Sequence, residues 1–335
     1  MTDRILIRAT GDAIVDQTLQ ELIALYERVF PGRVWGYFLE GSQADQTALA
    51  TSDVDLIFVF KDSFADDIEK ERAETIGDQF NATVQPEIDI GFVEESQIAC
   101  AVPPSLKLGS TLLYGEPIPD GWPLVSVAEW ARERMHASYW LMTKVFGRPD
   151  FVSLPRDYPK PEADFYGYTE RTVRLPEGSE VASTRDLIRV MGWAGTALVA
   201  RLGGQIVARK QECHLLYRQT VGDGWSSFFE SLYTQCREEW NYRIPTAPDA
   251  RAELTQICQQ ALAFENHFLG IYRGFLLAEL READEPEKLH ALWVQQRIPF
   301  RDPEVIGAVR LLSTSADEPL KQAALALLPG FEKPK

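Results

Sequence analysis

The sequence predicts an α+β chain: a small mixed α/β domain followed by an α-helical bundle. Three observations carry that prediction. Short apolar runs rich in β-branched and aromatic residues are concentrated before residue 120. Beyond it the strand signals fade and apolar positions recur at helical spacing. At 335 residues the chain is also longer than one ordinary core accommodates.

The elements follow in order. Residues 12–29 carry Ile14, Val15, Leu19, Leu22, Ile23, Leu25, Tyr26 and Val29 on one helical face, and Pro31-Gly32 stops the helix. Val34 to Leu39 is an apolar run that reads as a strand and ends at Gly41-Ser42. Val54 to Phe60 is a second strand, 64–81 a polar, Glu-rich helix, and Glu87 to Val93 a third strand. Thr111 to Tyr114 is a fourth, closed by Gly115-Glu116-Pro117. Asp120-Gly121-Trp122-Pro123 then marks a boundary, so the first domain is 1–120. Helical patterns at 126–146, 184–202, 206–220, 224–240 and 251–282 make 121–285 a helical domain. Two shorter helical patterns make 286–335 a C-terminal extension. The stretch 149–181 is rich in Pro, Tyr and Asp. A structureless loop that long is unusual, so it is functional or holds elements that the pattern hides.

Composition narrows the partners. The formal net charge is −16, which disfavours non-specific binding to a phosphate backbone and attracts a cationic small molecule. No run approaches the roughly 20 apolar residues that span a bilayer. Met1 to Thr10 has charges at Asp3, Arg4 and Arg8 and no apolar signal core, so a non-secreted, cytoplasmic protein is expected. Cys100, Cys213, Cys236 and Cys258 form no CxxC pair and are expected to be buried reduced thiols.

The chemistry sits in Gly41-Ser42, Asp53-Val54-Asp55 and Asp89. On a strand, residues i and i+2 share a face, so Asp53 and Asp55 project together from the start of an apolar strand. Two adjacent carboxylates repel, and a hard divalent cation with a preference for oxygen removes that cost. Asp89, on the next strand, is the natural third acid, with Glu87 on the same face as its substitute. Three carboxylates on neighbouring strands can hold two metals about 4 Å apart, an arrangement used for in-line displacement at phosphorus. The glycine lets backbone approach a phosphate, and the serine hydroxyl can donate to it. The plain alternative is an Asp-capped loop after Thr51-Ser52 with both carboxylates in water.

A strand ending in Gly-Ser, a loop, Asp-x-Asp on a strand and a third acid on a later strand resembles the polymerase-β nucleotidyltransferase superfamily. Within it, the chain is similar to the two-domain aminoglycoside adenylyltransferases. Leu112-Leu113-Tyr114-Gly115-Glu116-Pro117 resembles the Leu-Tyr-Gly-Glu element that closes their catalytic domain. Gly204-Gln205-Ile206-Val207-Ala208-Arg209-Lys210 is similar to a helical-domain stretch whose lysine contacts the nucleotide phosphates. The resemblance covers 20–120 with specific motifs, 180–280 loosely, and nothing past 285. It implies a nucleotidyltransferase catalytic domain at 1–120 and a helical substrate- and nucleotide-binding domain at 121–285. Asp53 and Asp55 would be Mg²⁺ ligands, and Asp89 the third acid, a metal ligand or the base that takes the acceptor's proton. Asp89 is one methylene shorter than the glutamate many members carry. Gly41, Ser42 and Lys210 would hold the triphosphate of ATP. The implied reaction moves AMP to a hydroxyl of a small molecule, an aminoglycoside-like antibiotic among the acceptors.

Two other readings stand beside it. A nucleotidyltransferase acting on a protein or RNA partner, as in toxin–antitoxin pairs, calls for an open cleft and, for RNA, a basic patch that the sequence lacks. A non-catalytic nucleotide-binding protein on the same scaffold has no need of intact carboxylates. Arg209 and His214 have the Arg-x4-His spacing that resembles HEPN-type ribonucleases, a short and common pattern. Tyr158, Tyr166 and Tyr168 in the long loop can stack on a base or sugar, or anchor the loop.

Overall fold

In the computed structural model, residues 8–49, 51–175 and 178–332 are described. Most of the Met1–Thr10 segment and the final Pro-Lys therefore lie outside the described residues. The chain is mixed α/β, with a small mixed sheet of four strands and a helical C-terminal region. It divides into two compact units. The first comprises Met1–Trp130 together with Arg174–Glu180 and Gln205–Cys213; the second holds the rest.

The first unit opens with α1 (Ala13–Val29), whose N-cap Asp12 accepts hydrogen bonds from the backbone N–H groups of Ile14 and Val15. Strand β1 (Val34–Glu40) follows, then the one-turn helix α2 (Gly41–Ala44), β2 (Val54–Phe60), α3 (Asp67–Asn81) and β3 (Ile88–Glu94). Two short helices, α4 (Glu95–Ile98) and α5 (Pro104–Leu108), lead to β4 (Thr111–Gly115). The sheet order is β3-β2-β1-β4. β1 pairs antiparallel with β2 and β4, whereas β2 and β3 run parallel, joined through α3.

Alternation along the strands explains the layering. Val54, Leu56, Phe58 and Phe60 of β2 join Tyr37 and Leu39 of β1 and Ile88 of β3 in one core with Leu19, Leu22, Ile23 and Tyr26 of α1 and Ala73 of α3. The Tyr26 hydroxyl donates to the Ala73 carbonyl at 2.7 Å, tying the two helices that cover this face. Phe38 and Val59 face the other way and pack with Ile98, Val102 and Leu106. The carboxylates of interest share that second face, near the strand ends.

The second unit is helical. It contains most of α6 (Val127–Lys144), parts of the short strands β5 (Thr172–Arg174) and β6 (Glu180–Ala182), which pair with each other, and α7 (Arg185–Gly203). After them come α8 (Cys213–Thr220), α9 (Ser226–Ser231), a π-helical stretch over Leu232–Glu239, and α10 (Pro248–Glu282). Helices α11 (Glu285–Arg297), α12 (Pro303–Leu312) and α13 (Glu318–Glu332) close it. Phe264, Phe268, Tyr272, Leu276 and Leu280 run along the buried stripe of α10.

Several expectations are corrected here. Helices α4 and α5 are too short for a 3.6-residue period to register and lie outside the sequence reading. The helix expected over 206–220 begins only at Cys213, after a 3-10 turn at Lys210–Glu212. The helix expected over 224–240 changes to π geometry at Leu232. Asp53 immediately precedes β2 rather than lying on it. Cys100 is exposed, although the other three cysteines are buried and all four are free.

Within the 149–181 stretch, the part from Arg156 to Tyr168 is pinned rather than loose. Arg148 donates to Glu265 at 2.6 Å and to the Tyr168 hydroxyl at 3.3 Å. Arg156 donates to the Met142 carbonyl at 3.1 Å and Thr143 Oγ1 at 2.7 Å, and its backbone exchanges hydrogen bonds with Asn266. A 3-10 turn spans Asp164–Gly167. Tyr158 and Tyr166 stack on each other with centroids 4.0 Å apart, and Tyr168 is buried, so the three tyrosines anchor this segment. Among the described residues, no helix is long and apolar enough to cross a membrane.

Candidate functional site

The first unit brings the sequence-singled acids together through strand register. Asp55 of β2 is the register partner of Asp89 of β3. Register partners on neighbouring strands point to the same face, and adjacent strands lie about 4.8 Å apart. Two carboxylates thus arise side by side at the carboxylate-bearing face. On the other side of Asp55, its partner on β1 is Glu40, immediately before Gly41-Ser42. Asp53 stands at the mouth of β2, two residues before Asp55, in the loop that returns from α2.

Gly41 presses onto this arrangement. Its φ is +66°, in the left-handed region where glycine is favoured. A Cβ built there would lie 2.1 Å from Asp55 Oδ2. The backbone at the start of α2 therefore runs against the Asp55 carboxylate with no room for a side chain. The return loop is held locally: the Thr47 N–H donates to the Ser42 carbonyl at 2.9 Å, and the Leu49 N–H to Ser52 Oγ at 2.9 Å. Ser52 and Thr51, just before Asp53, are buried. The Asp-x-Asp element is thus set on a folded base rather than on a solvent loop.

Lys210 belongs to the same compact unit, through the Gln205–Cys213 segment. Its Nζ lies 3.8 Å from Asp55 Oδ2, and its side chain is largely exposed. Its neighbour Arg209 places Nε 2.8 Å from Asp45 Oδ1, just past the end of α2. Arg209 also donates to the Leu108 carbonyl at 3.3 Å.

The donor set is all oxygen and negatively charged, the chemistry that suits a hard divalent cation. Asp55 and Asp89 are close enough by register to share one, with Asp53 at its edge. Among the described residues, no group of three or more His, Cys, Asp or Glu side chains is gathered as a ready-made ligand set. Register therefore brings Asp55 and Asp89 together; Asp53 is placed by sequence adjacency alone.

Two features escaped the sequence reading. Glu40 is a charged residue closing an otherwise apolar strand, which was a usable signal, but its position opposite Asp55 depends on the β1–β2 register. The Asp45–Arg209 pair joins residues far apart in sequence and left none. Arg209 engages Asp45, while the His214 ring stacks on Tyr233 with centroids 4.5 Å apart. Each has a structural occupation of its own. No model of a known protein family matches this chain, and no curated protein matches it.

Proposed function

We propose that the chain is a Mg²⁺-dependent nucleotidyltransferase that moves a nucleoside monophosphate, AMP from ATP, onto a hydroxyl of a small molecule. The observation that carries this reading is the register pairing of Asp55 with Asp89, with the Gly41 backbone against the Asp55 carboxylate. Asp53 and Asp55, with Asp89 beside them, would hold the cation. Bound there, Mg²⁺ would act as a Lewis acid on the phosphoryl oxygens and offset their charge.

The chain's own groups supply the rest. Ser42 and the adjacent backbone N–H groups donate to phosphate oxygens, and Lys210 adds positive charge beside Asp55. Asp89 is exposed at the edge of the pair and takes the proton of the acceptor hydroxyl. The acceptor oxygen forms a bond to the α-phosphorus as the bond from that phosphorus to the bridging oxygen breaks. Pyrophosphate leaves with the electron pair. A net charge of −16 favours a cationic acceptor, which is why aminoglycosides head the acceptor screen.

The test is isothermal titration with a non-hydrolysable ATP analogue, with and without Mg²⁺. Binding that requires the metal is expected. Absence of binding to the ATP, GTP, CTP and UTP analogues alike, with Mg²⁺ present, would overturn the proposal.

Gly41→Ala gives a separate check on the backbone contact. A methyl group at 2.1 Å from Asp55 Oδ2 must displace the carboxylate, and the positive φ adds about 1 kcal/mol of strain. Metal-dependent nucleotide affinity should fall roughly tenfold or more. An alanine variant that binds as tightly as the parent would separate Gly41 from the site.

A further inference from the structure

We propose that the Arg209–Asp45 ion pair is a positioning latch that holds Lys210 beside Asp55, so that Arg209 tunes nucleotide affinity without touching the nucleotide. The inference rests on the nucleotidyltransfer reading of Asp55 and adds a residue to it.

The geometry is local to the first unit. Asp45 follows the last residue of α2, and its backbone N–H donates to the Gly41 carbonyl at 3.1 Å, so its position is tied to the Gly41 turn. The Asp45 side chain is only 7% exposed, and its Oδ1 lies 2.8 Å from Arg209 Nε. A carboxylate so nearly enclosed requires a partner, because leaving it unpaired carries the full desolvation cost. Arg209 meets that need with one part of its guanidinium. It donates to the Leu108 carbonyl with another, and its Nη1 lies 3.5 Å from Glu212.

A planar group with several fixed donors can bridge α2, the end of α5 and its own segment at once; an ammonium cannot. The preceding residues are seated closely too. Val207 is buried, and a Cβ at Gly109 would meet the Ala208 carbonyl at 2.6 Å. Gly109, the C-cap of α5, thus permits the close approach of this segment.

Lys210 gains its position from this seating. It opens the 3-10 turn Lys210–Glu212, which is closed by the Glu212 N–H donating to the Arg209 carbonyl at 3.0 Å. Its own side chain is 68% exposed, so packing on the side chain does little to fix it. Its backbone is fixed by Arg209 on one side and the turn on the other. A flexible, exposed lysine with an anchored backbone loses less entropy when it meets a phosphate than one on a free segment.

The experiment has two arms. The first is amide hydrogen exchange over 205–213 in the nucleotide-free protein, comparing wild type with Arg209→Gln and Asp45→Asn. Both variants should exchange there roughly tenfold faster or more. The second arm is a double-mutant cycle on the Mg²⁺-dependent affinity for the ATP analogue. Arg209→Gln should weaken binding about tenfold in the wild-type background and less than about twofold beside Lys210→Ala. Arg209→Lys should restore part of the loss.

Equal losses in both backgrounds would overturn the positioning role, since Arg209 would then act independently of Lys210. Unchanged exchange in both variants would overturn the latch itself. If the wild type binds no nucleotide, the proposed function and the role of Lys210 fall together. The exchange arm still decides whether the latch exists.

Discussion

Asp55→Asn is expected to lower nucleotidyl transfer by at least about 10²–10³-fold while leaving the fold intact. The substitution keeps the size and shape of the side chain and removes the charge that lies between Asp89 on one strand and Lys210 Nζ, 3.8 Å away. Asp55 is only partly buried and belongs to the second face of the sheet, so the core of Val54, Leu56, Phe58 and Phe60 is untouched. Far-ultraviolet circular dichroism and the thermal midpoint should therefore stay close to wild type. The rate is read as pyrophosphate released in the presence of Mg²⁺, ATP and a panel of hydroxyl acceptors, aminoglycosides first. Asp53→Asn is expected to act in the same direction. Full activity in both variants would show that these carboxylates are a loop cap and not the reacting centre.

Arg148→Ala is expected to have the largest effect on stability, a loss of about 3–5 kcal/mol from the helical unit. Glu265 is completely buried on α10, and Arg148, itself only 6% exposed in its side chain, donates to it at 2.6 Å. Burial raises the Glu265 carboxyl above the usual glutamate range, and the charges of Arg148 and Arg156 act against that shift. Burial likewise pushes the Arg156 guanidinium down, to about 10.

Without Arg148 the carboxylate is left poorly compensated, so it favours its neutral form still more strongly. A carboxyl whose folded pKa is raised is best tolerated at low pH and penalised as pH rises through that pKa. The stability deficit of Arg148→Ala should thus shrink as pH falls from 8 toward 5. Chemical denaturation across that range measures it. A loss below about 1 kcal/mol at pH 8 would mean that the pair is not energetically enclosed. The double substitution Arg148→Met with Glu265→Leu removes the pair but leaves the buried Arg156 guanidinium without the Glu265 charge, so it should recover only part of the loss.

Much of the fold was readable along the chain because its signals are local. The β-branched and aromatic run of 54–60 marks a strand, and the helical spacing of 12–29 and 251–282 reflects a helix burying one face. Strand β2 was expected over Val54–Phe60 and runs over those residues. What was missed was short or irregular. One-turn helices such as α4 carry too few residues for a period, and the π geometry of Leu232–Glu239 differs from an α-helix by a shift that the side-chain pattern tolerates. The 149–181 segment was opaque because the groups that order it, Glu265 and Asn266 of α10, lie about a hundred residues away.

The candidate site divides along the same line. The sequence by itself determined the α+β class and the adjacency of Asp53 to Asp55. It also placed Gly41-Ser42 at the end of a strand, since each of these depends on neighbours within a few residues. Only the tertiary structure decided that Asp89 stands opposite Asp55 and that Gly41 leaves no room for a Cβ beside that carboxylate. It alone brought Arg209 to Asp45 and Lys210 to within 3.8 Å of Asp55. Register, close backbone approach and the pairing of a buried charge are set by long-range packing, and a one-residue slip of β2 or β3 would move its acid to the opposite face. Local pattern specifies what an element is; which residues it meets is fixed by the core that all the elements share.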